Sequence, residues 1–136
     1  LELIKPSFPV PKITEGGSMV PVLKNGGEGK IERPNDFIVF HYPNGVWPSQ
    51  TSLVKGNHKI VKTWAFDCVE MFDLRTDMSE QKDLSKQMPE KAQELHGVMT
   101  RYLERVNAVA PTDGELANDR AGLLMKKGGA KKKGEK

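Results

Sequence analysis

This sequence is short of most of the residues from which active sites are assembled. Cysteine occurs once, as Cys68. That excludes a disulfide within the chain and any zinc site built on several thiolates. Histidine occurs three times, as His41, His58 and His96, too far apart for the short local spacings of metal ligands. Aromatic residues make up only 7% of the chain, and no apolar run reaches the ~18 residues of a membrane span. A basic face interleaved with aromatics is also lacking, which argues against specific nucleic-acid binding. "GGEG" at 26–29 has neither the Lys-Ser/Thr of a phosphate loop nor a strand before it.

The net charge of +3 comes from one end. Residues 126–136, "KKGGAKKKGEK", hold six Lys and one Glu. Of the 21 basic and 18 acidic side chains in the whole chain, 15 and 17 are left for residues 1–125, a slightly acidic body. A Lys/Gly terminus of this kind is expected to be disordered and solvated, or to touch anionic polymers.

What is present reads as a small α+β domain. Pro6, Pro9 and Pro11 make the first residues extended, and the opening "LELIKPSFPVPK" reads as the interior of a longer polypeptide. "SMVPVLKNGG" can form one helical turn, with Ser18 as cap and Asn25-Gly26 as stop. "DFIVFHYP" (36–43) is β-branched and aromatic, and nearly continuous in apolar character. Such a strand is expected to be covered on both faces. Residues 51–55 and 58–65 flank Gly56-Asn57, a two-residue hairpin signal. Alternation then sets His58, Ile60, Lys62 and Trp64 on one face, with Lys59, Val61 and Thr63 on the other. "VEMFDL" (69–74) is a further strand.

Asp77 or Ser79 can cap a short turn through Leu84, and Pro89 suits the first turn of a helix. Ala92, Leu95, Met99, Tyr102 and Val106 then recur at spacings of three and four, widened by Val98 and Leu103. The expected architecture is a three- to four-stranded antiparallel sheet packed with this one long helix. An irregular segment (1–35) precedes the sheet-and-helix unit (36–107), and a low-complexity, Lys-rich tail (108–136) follows it. A weak helix over 115–125 is possible within the tail.

No catalytic constellation assembles. Cys68 sits between Asp67 and Glu70, neighbours that raise a thiol's pKa and dull it. "DMSE" and "TDGE" read as caps and turns rather than paired catalytic carboxylates. His96, beside the helix stripe, reads as a boundary residue, and Lys59 as a hairpin cation that solvates an edge or pairs with a carboxylate.

The order of segments carries more information than any single one. "EGGSMVPVLKNG", "RPNDFIVFHYP", "TSLVKGNHKIVKTW" and "EMFDLRTDMSEQKDLSKQMPEKAQELHGVMTRYLERV" together resemble the C-terminal part of a sulfatase. The branch is that of the arylsulfatases within the alkaline-phosphatase-like superfamily. The resemblance covers about residues 14–107. The family pattern has a "DG.S..P.L.G" segment, a strand of the "F-H-Y-P" kind, a "SAIR.G.YKLI" hairpin and "ELYDL..D..E..NL" before a last helix. Glu15 stands where the pattern has Asp, Val54 where it has Arg, and His58 where it has an aromatic. Lys59-Ile60 match in kind, and Asp83-Leu84 stand for "NL".

The resemblance implies a subdomain that hydrolyses nothing by itself. Sulfatases cleave sulfate esters with a formylglycine made from a "C/S-x-P-x-R" motif, beside a calcium ion, in a large N-terminal domain. Both groups are expected in that domain, with none bound by this chain and no catalytic residue in it. The implied partners are that N-terminal sulfatase domain and a sulfated small molecule or glycan; a periplasmic or secreted location follows from the family. His41, with Tyr42 and Asn44 beside it, is the candidate for the rim of the substrate pocket, the alternative being interdomain packing. The rival function is a stand-alone interaction module whose basic tail binds anionic polymers.

Overall fold

The computed structural model describes residues 15–44 and 48–131, the stretch 123–131 as backbone only. The Pro-rich opening expected to be extended lies outside the described residues, as do 132–136 at the Lys-rich end. The chain divides into two compact units, Leu1–Asp36 and Phe37–Lys136.

The described part of the first unit holds one helical turn, α1 (Val20–Lys24), with Pro21 in its opening positions. Ser18 Oγ accepts a hydrogen bond from Val20 N at 3.2 Å, although Met19, not Ser18, occupies the cap position. The turn stops at Asn25, and Gly26 and Gly27 follow with φ of 63° and 96°, a region open to glycine.

The second unit is a four-stranded antiparallel meander in the order β1-β2-β3-β4. Its strands are β1 (Phe37–Tyr42), β2 (Gln50–Lys55), β3 (His58–Thr63) and β4 (Cys68–Asp73). Gly56-Asn57 closes the β2–β3 hairpin with Lys55 opposite His58, and Gly56 takes φ 58°, which a tight hairpin turn requires at its first central position. A 3₁₀ turn (Trp64–Phe66) follows β3 and ends on Asp67 in the left-handed region, which reverses the chain into β4.

Alternation along the strands makes two unlike faces. Val39, Leu53, Ile60 and Met71 lie in one row across all four strands on the inner face. The helix α2 (Pro89–Arg105) lays Ala92, Leu95 and Met99 onto that face. Leu53, Ile60, Met71 and Leu95 are wholly buried. Phe37, Val39, Val69, Leu84, Val98 and Leu103 pack around them. The heptad-like spacing of the sequence therefore reports a real apolar stripe, except that Val106, at the helix end, is exposed.

Carboxylates organise the loop between β4 and α2. Asp77 Oδ2 accepts from Gln81 N and Lys82 N, both at 2.8 Å, so Asp77 and not Ser79 holds this turn. Asp83 Oδ1 accepts from Met71 N (3.0 Å) and Ser85 N (2.8 Å), and Leu84 N donates to Met71 O (2.7 Å). Asp83-Leu84 thus satisfy both backbone groups of Met71 on the outer edge of β4 and protect an otherwise open strand edge.

A second helix, α3 (Asp113–Lys131), runs beyond the 115–125 that the pattern suggests, its backbone reaching into the Lys-rich stretch. Thr112 and Glu115 form a reciprocal capping box at its start. Thr112 N and Oγ1 donate to Glu115 Oε2 at 2.7 Å, and Glu115 N donates to Thr112 Oγ1 at 3.4 Å. "TDGE" is therefore cap chemistry.

Candidate functional site

Adjacent residues of β1 point to opposite faces, so the three candidate rim residues separate. His41 and Thr51 face each other on the inner side, while Tyr42 lies on the open face and is 48% exposed. Asn44 follows the end of β1, near enough to the Glu115 carboxylate of α3 to help hold its pKa below the ordinary value.

His41 is fully engaged. Its Nε2 lies 2.8 Å from the Val109 carbonyl, which can only accept, so Nε2 carries the proton. Nδ1 lies 2.8 Å from the Thr51 hydroxyl, from which it accepts whenever it carries no proton of its own. Thr51 Oγ1 in turn accepts from Trp64 Nε1–H at 2.9 Å. Indole, hydroxyl, imidazole and carbonyl form one directed chain, with Thr51 wholly buried at its centre. The His41 and Trp64 rings meet edge to face, 6.3 Å between centroids.

Beside this chain, α3 reaches the sheet through two more polar contacts. Ser49 N donates to Asp119 Oδ2 at 2.7 Å, and Arg120 Nε donates to the Ala65 carbonyl at 2.6 Å. Ser49 Oγ is buried and has no hydrogen-bond partner among the described residues. The sequence marked neither Ser49 and Thr51 nor Asp119 and Arg120, because their roles rest on contacts 55 to 70 residues apart in the chain for the helix pairs. Only the T-x-x-E signature at 112–115 announced that a helix starts there.

On the open face, a hollow of about 800 Å³ is lined by Phe40, Tyr42, Gln50, Ser52, Glu70 and Phe72, with Lys59 and Glu80 at its side. Lys59 Nζ grips both Glu80 oxygens, at 2.6 and 2.8 Å. Glu80 takes φ 54°, rare for a side chain of its size, so the ion pair holds a strained residue in place. Lys59 therefore pairs with a carboxylate rather than solvating an edge.

A third cluster lies beside α2. Lys62 Nζ sits 2.7 Å from Asp67 Oδ1 and 4.9 Å from the Trp64 ring centroid. Burial first, and then the Lys62 charge, hold the His96 pKa below its ordinary value, while Asp67 opposes them. The Lys62 hydrogen bond and charge lower the pKa of Asp67, against burial.

The described residues do not form a formylglycine or a calcium site. Cys68, exposed at the start of β4, is followed by Val69-Glu70-Met71-Phe72, not by the x-P-x-R that such a precursor needs. Among the described residues no three His, Cys, Asp or Glu side chains come together as a metal-binding group. No described helix is long and apolar enough to cross a membrane.

No family model and no curated protein matches the sequence. Among solved structures, the fold is similar to that of BT4656 in complex with its substrate D-glucosamine-2-N,6-O-disulfate. The TM-score is 0.60 at 20% identity, over 76% of this chain and 22% of that one. This chain thus spans less than a quarter of the length of the protein it resembles, and the likeness is one of fold.

Proposed function

We propose that this chain is the C-terminal subdomain of a sulfatase-like protein, supporting a larger catalytic domain rather than performing the hydrolysis. One observation carries the reading. The hairpin, the "EMFDL" strand, the Asp83-Leu84 edge clasp and the apolar helix occur in the order of the sulfatase segments. They build a fold like that of BT4656, whose substrate carries two sulfates. In this reading formylglycine and calcium belong to the larger domain, and the end of β1 with His41, Tyr42 and Asn44 stands at the rim of its pocket. His41 then acts as a positioning residue, since both its ring nitrogens are taken by Thr51 and Val109.

The gene and a chromogenic aryl sulfate test this. Sequence upstream and in frame should encode "C/S-x-P-x-R". The polypeptide expressed from the whole gene should turn over the aryl sulfate, and residues 1–136 alone should not. Turnover by residues 1–136 would overturn the proposal.

A second reading rests on the charge asymmetry, six Lys in 126–136 against a slightly acidic body. Here the chain is an interaction module, and its Lys-rich end holds heparin or nucleic acid with steep salt dependence. Deleting 126–136 should abolish that binding; binding that persists, or that ignores salt, excludes it.

A further inference from the structure

The turn that ends α1 carries a reactive pair. Asn25 occupies the C-cap position and Gly26 follows it at φ 63°, both exposed. Glycine has no Cβ to shield its backbone nitrogen from the side chain before it. The space around Gly26 is open, since a Cβ built there would meet nothing within 4 Å. Gly26 N–H also has no hydrogen-bond acceptor among the described residues. Asn35, Asn57, Asn107 and Asn118 are instead followed by Asp36, His58, Ala108 and Asp119, each with a side chain beside its nitrogen.

Hydrogen bonds hold the pair in a closed turn. Gly27 N donates to Val22 O at 2.9 Å, Glu28 N to Asn25 O at 3.1 Å, and Asn25 Nδ2 to Glu28 O at 3.4 Å. In this form ψ of Asn25 is 37°, which sets Gly26 N nearly opposite the Asn25 side chain across the Cα–C bond. Attack of that nitrogen on the side-chain amide therefore needs the turn to open and the bond to rotate. Every residue of the turn except Val22 is exposed, and local opening of such a segment costs little.

We propose that Asn25-Gly26 is a self-modification site, a one-way deamidation gated by the α1 turn. In the open turn Gly26 N gives its proton to solvent base and bonds to Asn25 Cγ. The Cγ–Nδ2 bond breaks, and Nδ2 takes a proton from water and leaves as ammonia. Water then opens the cyclic imide at either carbonyl. One opening leaves aspartate at position 25; the other leaves isoaspartate, in which the chain runs through the former side-chain carbonyl. Overall a water is consumed and an ammonia released, and nothing is oxidised or reduced. The product opposes reclosing. Where the Asn25 amide donates to Glu28 O, a carboxylate only accepts. Its charge stands at the C-terminal end of α1, where helix carbonyls point, and close in sequence to the Glu28 carboxylate. Isoaspartate also adds a backbone methylene inside the turn that Gly27 N closes on Val22 O.

Ageing of residues 1–136 in mildly alkaline buffer, followed by peptide mass spectrometry, tests it. The peptide holding Asn25 should gain the mass difference between OH and NH2 about tenfold faster than those holding Asn35, Asn57, Asn107 or Asn118. Part of the product should accept methyl label from an isoaspartyl methyltransferase. In denaturing urea, where the gate is gone, conversion at Asn25 should rise about tenfold. Gly26→Ala, compared in the same urea so that folding plays no part, should slow it about tenfold. Asn25→Asp, which supplies one product directly, should raise amide exchange at Gly27 and Glu28 of the folded chain about tenfold. Asn25 converting no faster than the other four overturns the proposal. So does a rate that ignores urea or Gly26→Ala, or exchange at Gly27 and Glu28 that Asn25→Asp leaves unchanged.

Discussion

The two helices of the sheet unit are attached by opposite means. α2 buries Ala92, Leu95 and Met99 against Leu53, Ile60 and Met71, an attachment made by excluding water. Among its described contacts, α3 and the segment before it reach the rest of the sheet unit through polar bonds: Val109 to His41, Asp119 to Ser49 and Arg120 to Ala65. Apolar burial is not weakened by charge screening and is expensive to disrupt. Hydrogen bonds exchange with water, so each contributes modestly, and those that involve charge weaken as ions screen them. The sheet therefore carries one helix that is part of its core and one whose described bonds to it are polar.

The strongest test strikes the apolar side. Leu95→Ala removes a wholly buried side chain at the centre of the cluster. It should lower unfolding stability by about 2–5 kcal/mol in urea denaturation, with α2 and the sheet lost in one transition. A loss under about 1 kcal/mol would mean that the site collapses around the gap and that α2 is not the core partner the burial indicates.

Thr51→Val probes the junction between the two modes. The substitution keeps the shape but removes the hydroxyl that accepts from Trp64 and donates to His41. It should cost about 1–3 kcal/mol, because a part-buried indole N–H and a ring nitrogen lose their partner together. The indole proton resonance of Trp64 should shift, and amide exchange should rise around Val109. An unchanged indole resonance would break the directed chain from Trp64 to Val109.

Those two sites also mark what the sequence made legible. Leu95 belonged to a periodic stripe, and local periodicity found α2, all four strands and the Gly56-Asn57 turn to within a residue or two. Thr51 belonged to no pattern, because its role depends on which residues the register places opposite it. β1 shows the limit differently. Its near-continuous apolar character pointed to cover on both faces, yet within this chain's sheet unit Ile38, Phe40 and Tyr42 are exposed. Apolarity records that a face is to be buried, not what buries it. His41, Tyr42 and Asn44 are neighbours in sequence, but strand alternation and the partners of each side chain part them. α3 was legible in part, as a weak helix over 115–125. Thr112–Glu115 signal its start, but its polar contacts with the sheet unit join residues too far apart in sequence to leave a local pattern.

The polar side is probed by Asp119→Ala with Arg120→Ala. Removing both contacts should release α3 and raise hydrogen exchange at Ser49 N, whose acceptor is lost, by about tenfold, the equivalent of one charged hydrogen bond. Exchange at Leu53 and Ile60 in the strand centres should stay as it was. Salt at 1 M, which shortens the screening length to about 3 Å, should push the unaltered protein in the same direction. If Leu53 and Ile60 lose protection together with Ser49, α3 is an integral part of the core and the contrast fails.

Acid should separate the two helices most finely, since each carries a titrating group with its own window. On α2, burial and Lys62 hold the His96 pKa below 6.5. The unfolded chain then takes up a proton near pH 6.5 that the folded chain resists. Stability contributed at this site is complete above pH 6.5 and falls as pH drops from there to the depressed pKa. On α3, the hydrogen bonds from Thr112 N and from its hydroxyl, with a smaller one from Asn44, hold the Glu115 pKa below 4.5 against burial and the Asp119 charge. The cap is complete above that value and lost as pH falls through the lowered pKa, when the carboxyl gains its proton. A melting curve followed by circular dichroism against pH should therefore soften in two steps. His96→Gln should flatten the step that begins near pH 6.5, and Glu115→Gln should reduce the acid one, which Asp67, Asp77, Asp83 and Glu94 share. Exchange at the α3 amides should follow the Glu115 step alone. If the α3 amides instead open with the His96 step, the helices are coupled through Lys62 and Trp64, and the polar attachment of α3 is not independent of the apolar core.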